Sequence, residues 1–396
     1  MVSPFGTSLD AFRDALLDGQ SAVAPIERFD TTGCASKLAA SVAGFEPTAW
    51  VAPMKLRRMD PTGAYAIAAS GMAIADARQP LHEDGDEAGG IVLGTWSAGG
   101  QAMQEYLSAL LRSGPGGVPA LIFNTTVGNA AASQVGLEFK LRGLNTTITH
   151  KEASGLAAIV SAVEFLRQER ASWLVTGGVD SFYEMFFKAH DRFAVMSRRS
   201  TFSKGMGPFD RDRCGFIMGE GCFALCVERV DDARRRHATP YGDILGVAAS
   251  GAAVPTNAWP DRAEPLARTM GLALGDAGLT PDDVDVVYAS ANATPQLDAV
   301  EAAALAELFG GGRTVITSIK GALGECGASG AASCAAALLC GRARRVPPIA
   351  GLGHVDPALK ALRFATESVV APGPIALVNS FASGGALFSL VLRVAA

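Results

Sequence analysis

The chain is poor in the residues that bind metals, nucleic acids or membranes. Its seven cysteines are scattered, with no CxxC pair and no metal-ligand rhythm, so zinc ribbons, zinc fingers and dithiol redox sites are excluded. Neither a metal nor a cofactor is expected. The odd cysteine count, together with the absence of a secretion signal, fits a reducing cytoplasm. Only five histidines are present, and they share no motif. The net charge of -5 gives no basic footprint for nucleic acid. No apolar run is long enough to span a bilayer. Aromatic residues make up only 7% of the chain. What is abundant is small and apolar: 49% of the 396 residues are hydrophobic and 45 are glycine. That composition buries a large core and lets helices and strands approach closely, at a length that suggests two domains or one two-lobed unit.

One stretch organises the rest. Thr146-Thr147-Ile148-Thr149 is β-rich, His150-Lys151-Glu152-Ala153 turns, and a helix opens at Ser154-Gly155 with Leu156, Ala157, Ile159 and Val160 following. Such a strand–turn–helix elbow lifts one side chain to the mouth of a helix, where free N–H groups and the helix dipole favour a thiolate or an oxyanion. Here the residue at the top is Glu152, which is neither Cys nor Ser.

Along the chain, β and α patterns alternate. Ser8 is a plausible cap for a helix through Leu17, and residues 26–30 read as a short extended piece. Asp60-Pro61 opens a helix, residues 89–96 form a buried strand running into a glycine turn, and residues 101–111 form a helix. Asn124-Thr125-Thr126 is expected to cap a helix over 127–139. Strands follow at 171–180 and 222–227. The second half repeats the scheme, with strands at 241–247, 284–288 and 314–318, helices at 263–277, 298–308 and 328–339, and a closing hairpin over 375–379 and 387–394. Two halves, 1–235 and 236–396, each carrying an elbow-like turn, imply a duplicated α/β architecture with parallel sheets covered by helices.

Several motifs then converge. Val2-Ser3-Pro4-Phe5-Gly6, Val175-Thr176-Gly177-Gly178, the long run from Pro208-Phe209-Asp210 to Gly219-Glu220-Gly221, Lys320, and Asn379-Ser380-Phe381-Ala382-Ser383-Gly384-Gly385 together resemble the β-ketoacyl synthases of the thiolase fold, over nearly the full length. The resemblance implies a duplicated five-layer α/β/α/β/α architecture. It also implies an elbow cysteine that accepts an acyl chain, and two histidines that assist decarboxylation of a malonyl-carrier thioester. Members of that family begin with a buried strand ahead of the piece matching residues 2–6, so residues are expected to precede Met1 in the native product.

All three functional positions depart from the pattern. Glu152 stands for the cysteine, Ser290 for the first histidine and Glu325 for the second. Ser383 stands where the resemblance places a gating Phe, while Lys320 and Phe381 remain as pocket residues. A carboxylate cannot carry a thioester as a thiolate does, and it adds negative charge where an oxyanion should form. Condensing activity is therefore not expected of the chain alone, although it would belong to a 3-oxoacyl-carrier-protein synthase-type complex. The chain resembles a chain length factor, the inactive partner of a ketosynthase in type II polyketide or polyene systems. That implies a heterodimer with an active ketosynthase, an acyl carrier protein as further partner, and tunnel-end residues at Leu121, Ile122 and Phe123, with Trp96 and Ser97 as second candidates. Ordinary core packing is the competing account of those five residues.

The remaining features carry alternatives. Glu152 and Glu325 form either an ion-paired plug, with Lys320 and Lys151 available, or an acid/base pair acting on acyl thioesters. Cys326 is either a displaced nucleophile or a small buried residue. His150 is expected to point away from the elbow. Arg234-Arg235-Arg236 is either a solvated helix end or a dock for an acidic carrier protein, in which case the chain would act as a recruiting scaffold.

Overall fold

The computed structural model describes residues 1–359 and 361–395. Ten strands build its two main sheets: β1 (Gly89–Gly94), β2 (Asn145–Ile148), β3 (Trp173–Asp180), β4 (Gly221–Glu228), β5 (Gly242–Gly251), β6 (Val286–Tyr288), β7 (Val315–Thr317), β8 (Arg363–Phe364), β9 (Ile375–Phe381) and β10 (Ala386–Val394). The first sheet runs in the order β2-β1-β3-β4, and the second in the order β8-β7-β6-β9-β10-β5. Within each, the same four-strand pattern recurs. A central strand pairs parallel to two neighbours, and the fourth strand closes antiparallel on the third. This repeated order is the duplication expected from the sequence. The sheets are mixed, however, not parallel. β4 and β10 each follow their neighbour in the opposite sense, and β5 adds a second antiparallel pairing along β10. At the corresponding edge of β4, Val2 bridges Cys222 in antiparallel sense.

The helices include α1 (Leu9–Leu17), α2 (Pro61–Ala77), α3 (Gly100–Ser113), α4 (Ala130–Glu138), α5 (Ser154–Arg167), α6 (Glu264–Asp276), α7 (Pro295–Phe309) and α8 (Ser329–Arg342). α2 and α4 cover the first sheet, and α5 and α8 fill the space between the sheets. α6 packs on the far side of the second sheet, with α7 beside it. The layers are α/β/α/β/α, with the main apolar core in the central helical layer around Leu156, Ile159, Ala331 and Ala332. Glycine makes that layer possible. A Cβ on Gly178 would lie 2.7 Å from the Cα of Ala328, and one on Gly155 would lie 3.0 Å from the Gly327 carbonyl oxygen. Among the described residues no helix is long and apolar enough to cross a membrane.

Several local expectations shift. Ser8 caps α1 through the Ala11 N–H. The early extended piece lies at Val23–Pro25, where it pairs with Leu38–Ala40, and not at 26–30. The helix expected from 127 begins at Ala130, because residues 120–125 wind into a tighter helical turn first. Its N-cap, Asn129, makes no side-chain cap bond. Arg234 and Arg235 end a short solvated helix and pair with Asp231 and Asp232. Arg236 pairs instead with Glu228.

Candidate functional site

The elbow forms as expected. β2 ends at Ile148, residues 151–153 make one tight turn, and α5 starts at Ser154. Lys151 holds a left-handed φ of 50°, a strained value for a residue with a side chain. Ser154 stabilises the turn. Its Oγ accepts from the His150 N–H at 2.9 Å and donates to the Lys151 carbonyl at 2.7 Å. The Gly155 N–H reaches the Gly327 carbonyl at 2.7 Å, so the elbow is locked against the loop entering α8.

Glu152 is buried at the top of this elbow. Its carboxylate accepts from the Ser383 N–H at 3.2 Å and from the Ser383 hydroxyl at 3.0 Å. Burial, and secondarily the charge of Glu325, push its pKa up to about 7. Lys151 extends over the same turn. Its ammonium donates to the Thr256 carbonyl, and to Ser383 Oγ at 3.3 Å.

The other two positions face each other through a cation. Lys320 Nζ lies 2.7 Å from Glu325 Oε2 and 2.7 Å from the Ser290 carbonyl. Asn292 Nδ2 donates to the same Glu325 oxygen at 2.8 Å. Both partners of this ion pair are almost wholly buried, while Glu325 Oε1 has no hydrogen-bond partner. Ser290 is tied into the backbone. Its N–H donates to Glu301 at 2.9 Å and its Oγ accepts from the Phe381 N–H at 2.9 Å. Burial raises Glu301 to about 7 and Asp298 to about 6. The two cavities beside this cluster are minimal. One, lined by Lys320, Leu323, Gly324 and Cys326 among others, has a volume of about 10 Å³, room for one water at most.

The structure therefore brings Glu152, Ser290, Lys320, Glu325 and Ser383 into one polar cluster. Phe381 is a correction. Strand alternation turns Ser380 toward the elbow, with its Oγ 3.5 Å from the Glu152 carbonyl, and sends Phe381 into the core of the second half. It contributes backbone to Ser290, not a side chain to a pocket. His150 stacks on Phe388 at 5.3 Å. Among the described residues no histidine ring bonds to the cluster. Cys326 is buried, and its thiol pKa is pushed well up by burial, as expected of an inert packing residue.

The secondary candidates separate. Trp96 and Ser97 line a small cavity that also contacts Glu325 and Cys326, and Trp96 stacks edge-on against Phe186 and His190. Leu121 and Phe123 are 60% and 56% exposed, which rules out core packing for them. Ile122, between them, is half-buried. Sequence reasoning missed Asp180. This buried carboxylate accepts from Thr95 Oγ1, from the Trp96 and Ser97 N–H groups and from Ser97 Oγ at 2.7–3.0 Å, and also from the Gly327 N–H. It joins the turn after β1 to the loop bearing Glu325. Nothing in the sequence alone marks it, since its donors come from residues 95–97 and 327.

Comparison with known proteins places the chain. It matches the beta-ketoacyl synthase N-terminal domain over residues 1–233 and the C-terminal domain over 241–353. It is 29% identical to the 3-oxoacyl-[acyl-carrier-protein] synthase 2 of Coxiella burnetii, over 99% of this chain and 96% of that one. It is 32% identical to the tetracenomycin polyketide synthase ketoacyl synthase beta subunit of Streptomyces glaucescens, over 94% and 93%. The solved ishigamide ketosynthase/chain length factor superposes with a TM-score of 0.92 at 27% identity, covering all of this chain and 97% of that one. With these matches spanning both halves, the chain belongs to the β-ketoacyl synthase family.

Proposed function

We propose that this chain is a chain length factor: a family member that forms no carbon–carbon bond itself, pairs with an active ketosynthase and limits the length of a polyketide or polyene chain grown on an acyl carrier protein. The observation that carries this reading is the Lys320–Glu325 ion pair at 2.7 Å, with Glu152 buried at the elbow. Acidic side chains occupy both walls where an acyl oxyanion would need donors, and the buried Lys320 ammonium is already committed to Glu325. The cavity beside it has no room for an acyl chain. Two relatives point the same way: a polyketide ketoacyl synthase beta subunit and a ketosynthase/chain length factor.

An interface is also available. β2 is an edge strand of the first sheet. Leu107 and Leu111 of α3 are exposed, as are Leu121 and Phe123, and Phe123 packs on Tyr106 at 5.6 Å. Apolar side chains of this size on one face favour a protein partner. The test is reconstitution. Co-expression with an intact ketosynthase and a carrier protein should yield a heterodimer that makes product, and bulk changes at Ile122 and Phe123 should alter product length. A chain that stays apart from every candidate ketosynthase, or a product length indifferent to those changes, overturns the reading.

A further inference from the structure

Three reactive groups, Ser383, Glu152 and Lys151, meet at the rim of the cluster. Ser383 Oγ donates to Glu152 Oε1 at 3.0 Å and lies 3.3 Å from the Lys151 ammonium. Ser383 and Lys151 are half-buried, and Thr256 and Asn257 beside them are exposed. The hydroxyl therefore sits at the solvent side of the elbow and not in the filled pocket below. The parts of an activated serine are present: a nucleophile in hydrogen-bond reach of a carboxylate base, and a cation on the other side of the reacting oxygen. The turn that presents Ser383 is fixed. The Gly384 N–H donates to the Ala258 carbonyl at 2.9 Å, and the Gly385 N–H donates to Ala382 at 3.0 Å.

We propose that Ser383 is an acyl acceptor and that the chain hydrolyses acyl thioesters through it, with Glu152 as general base and Lys151 as the oxyanion's counter-charge. Ser383 Oγ attacks the thioester carbonyl carbon and passes its proton to Glu152. The tetrahedral oxyanion forms beside the Lys151 ammonium. Its collapse breaks the C–S bond, and the departing thiolate takes the proton back from Glu152. Water then attacks the acyl-serine ester, Glu152 accepts a water proton, and the ester bond breaks with that proton returned to Ser383 Oγ. The net change is thioester plus water to carboxylic acid plus thiol, with no other reactant. Burial holds Glu152 near the pH at which a base of this kind is most effective. This activity goes beyond the chain-length reading, which concerns carbon–carbon bond formation in a partner.

The test uses the purified full chain with hexanoyl-N-acetylcysteamine, and then with hexanoyl-coenzyme A and a hexanoyl carrier protein to distinguish the thioester's source. Thiol release is followed with a chromogenic thiol reagent, and acid-quenched protein is digested and mapped by mass spectrometry. A hexanoyl ester on Ser383 is expected. Ser383→Ala should lose both adduct and turnover, and Glu152→Gln should slow release about a hundredfold or more. Lys151→Met should lower turnover while leaving the Ser383 adduct detectable. Absence of any adduct on wild-type Ser383, or thiol release unchanged in Ser383→Ala, overturns the proposal. The wild-type map decides even if a variant fails to fold. A chain that hydrolyses thioesters without affecting product length sinks only the chain-length reading, and one that sets length without an adduct sinks only this one.

Discussion

Replacing Glu152 by glutamine isolates the energetic consequence of an acid held at the elbow. The side chain keeps its shape and keeps an oxygen for the Ser383 N–H, but loses the charge. Moving the carboxyl from its ordinary 4.5 to about 7 corresponds to about 3 kcal/mol against the charged form. The folded state holds this proton more tightly than the unfolded chain does. Stability is therefore lost as pH rises from 4.5 to 7, and the full penalty persists above 7. Glutamine carries no such penalty. Glu152→Gln should thus match the wild type near pH 4 and exceed it by up to about 3 kcal/mol at pH 8. With the unfolding entropy of a chain this long, about 0.8 kcal/mol per kelvin, the gain in Tm at pH 8 is about 4 °C. Asp298 and Glu301 are also raised by burial, but they are common to both proteins and cancel in the difference. Thermal unfolding at several pH values is the assay. A variant no more stable at pH 8 than at pH 4, relative to wild type, would refute the claim that a buried charge is held there.

Other perturbations reach other parts of the cluster. Lys320→Met leaves Glu325 buried without its cation and should cost about 3–5 kcal/mol in urea unfolding, while adding Glu325→Leu should recover most of it; equal stability of all three proteins would contradict a buried pair. Asp180→Ala strips the acceptor shared by Thr95, Trp96, Ser97 and Gly327 and should cost about 3 kcal/mol or more, and a calorimetric change under 1 kcal/mol would show that water replaces it. Leu121→Asp with Phe123→Asp should cost the isolated chain no more than about 2 kcal/mol, through the lost Phe123–Tyr106 contact, but abolish co-purification with a ketosynthase; retention of the complex would move the interface elsewhere.

The elbow was legible because its signals are local. β-branched residues end at Thr149, and Ser154-Gly155 opens an apolar helical run. The closing hairpin was legible for the same reason, its two apolar, almost wholly buried strands being separated by glycines. Strand sense was not, since nothing within residues 221–228 states that they run against Trp173–Asp180; only the assembled sheet does. The pairing of Lys320 with Glu325 lay within five residues and could be anticipated. That of Glu152 with Ser383 spans 231 residues, and no periodicity encodes it. Phe381 was misplaced because motif reading treats neighbours alike, whereas a strand sends Ser380 and Phe381 to opposite faces. Asp180 escaped notice because an acid at a strand end has no signature until its five donors are assembled around it.

The commitment of Lys320 to Glu325 has a consequence for descent. Placing sulfur at position 152 alone would leave the ammonium and the second acid locked together below it, with no imidazole to assist. Placing an imidazole at 325 alone would strand that ammonium in a dry interior beside a second base. Each solitary change either gains no chemistry or lowers stability, so on the chain-length reading a condensing site would need several replacements at once. On the chain-length reading proposed above, drift would hold this scaffold in that role, as a ratchet holds a wheel.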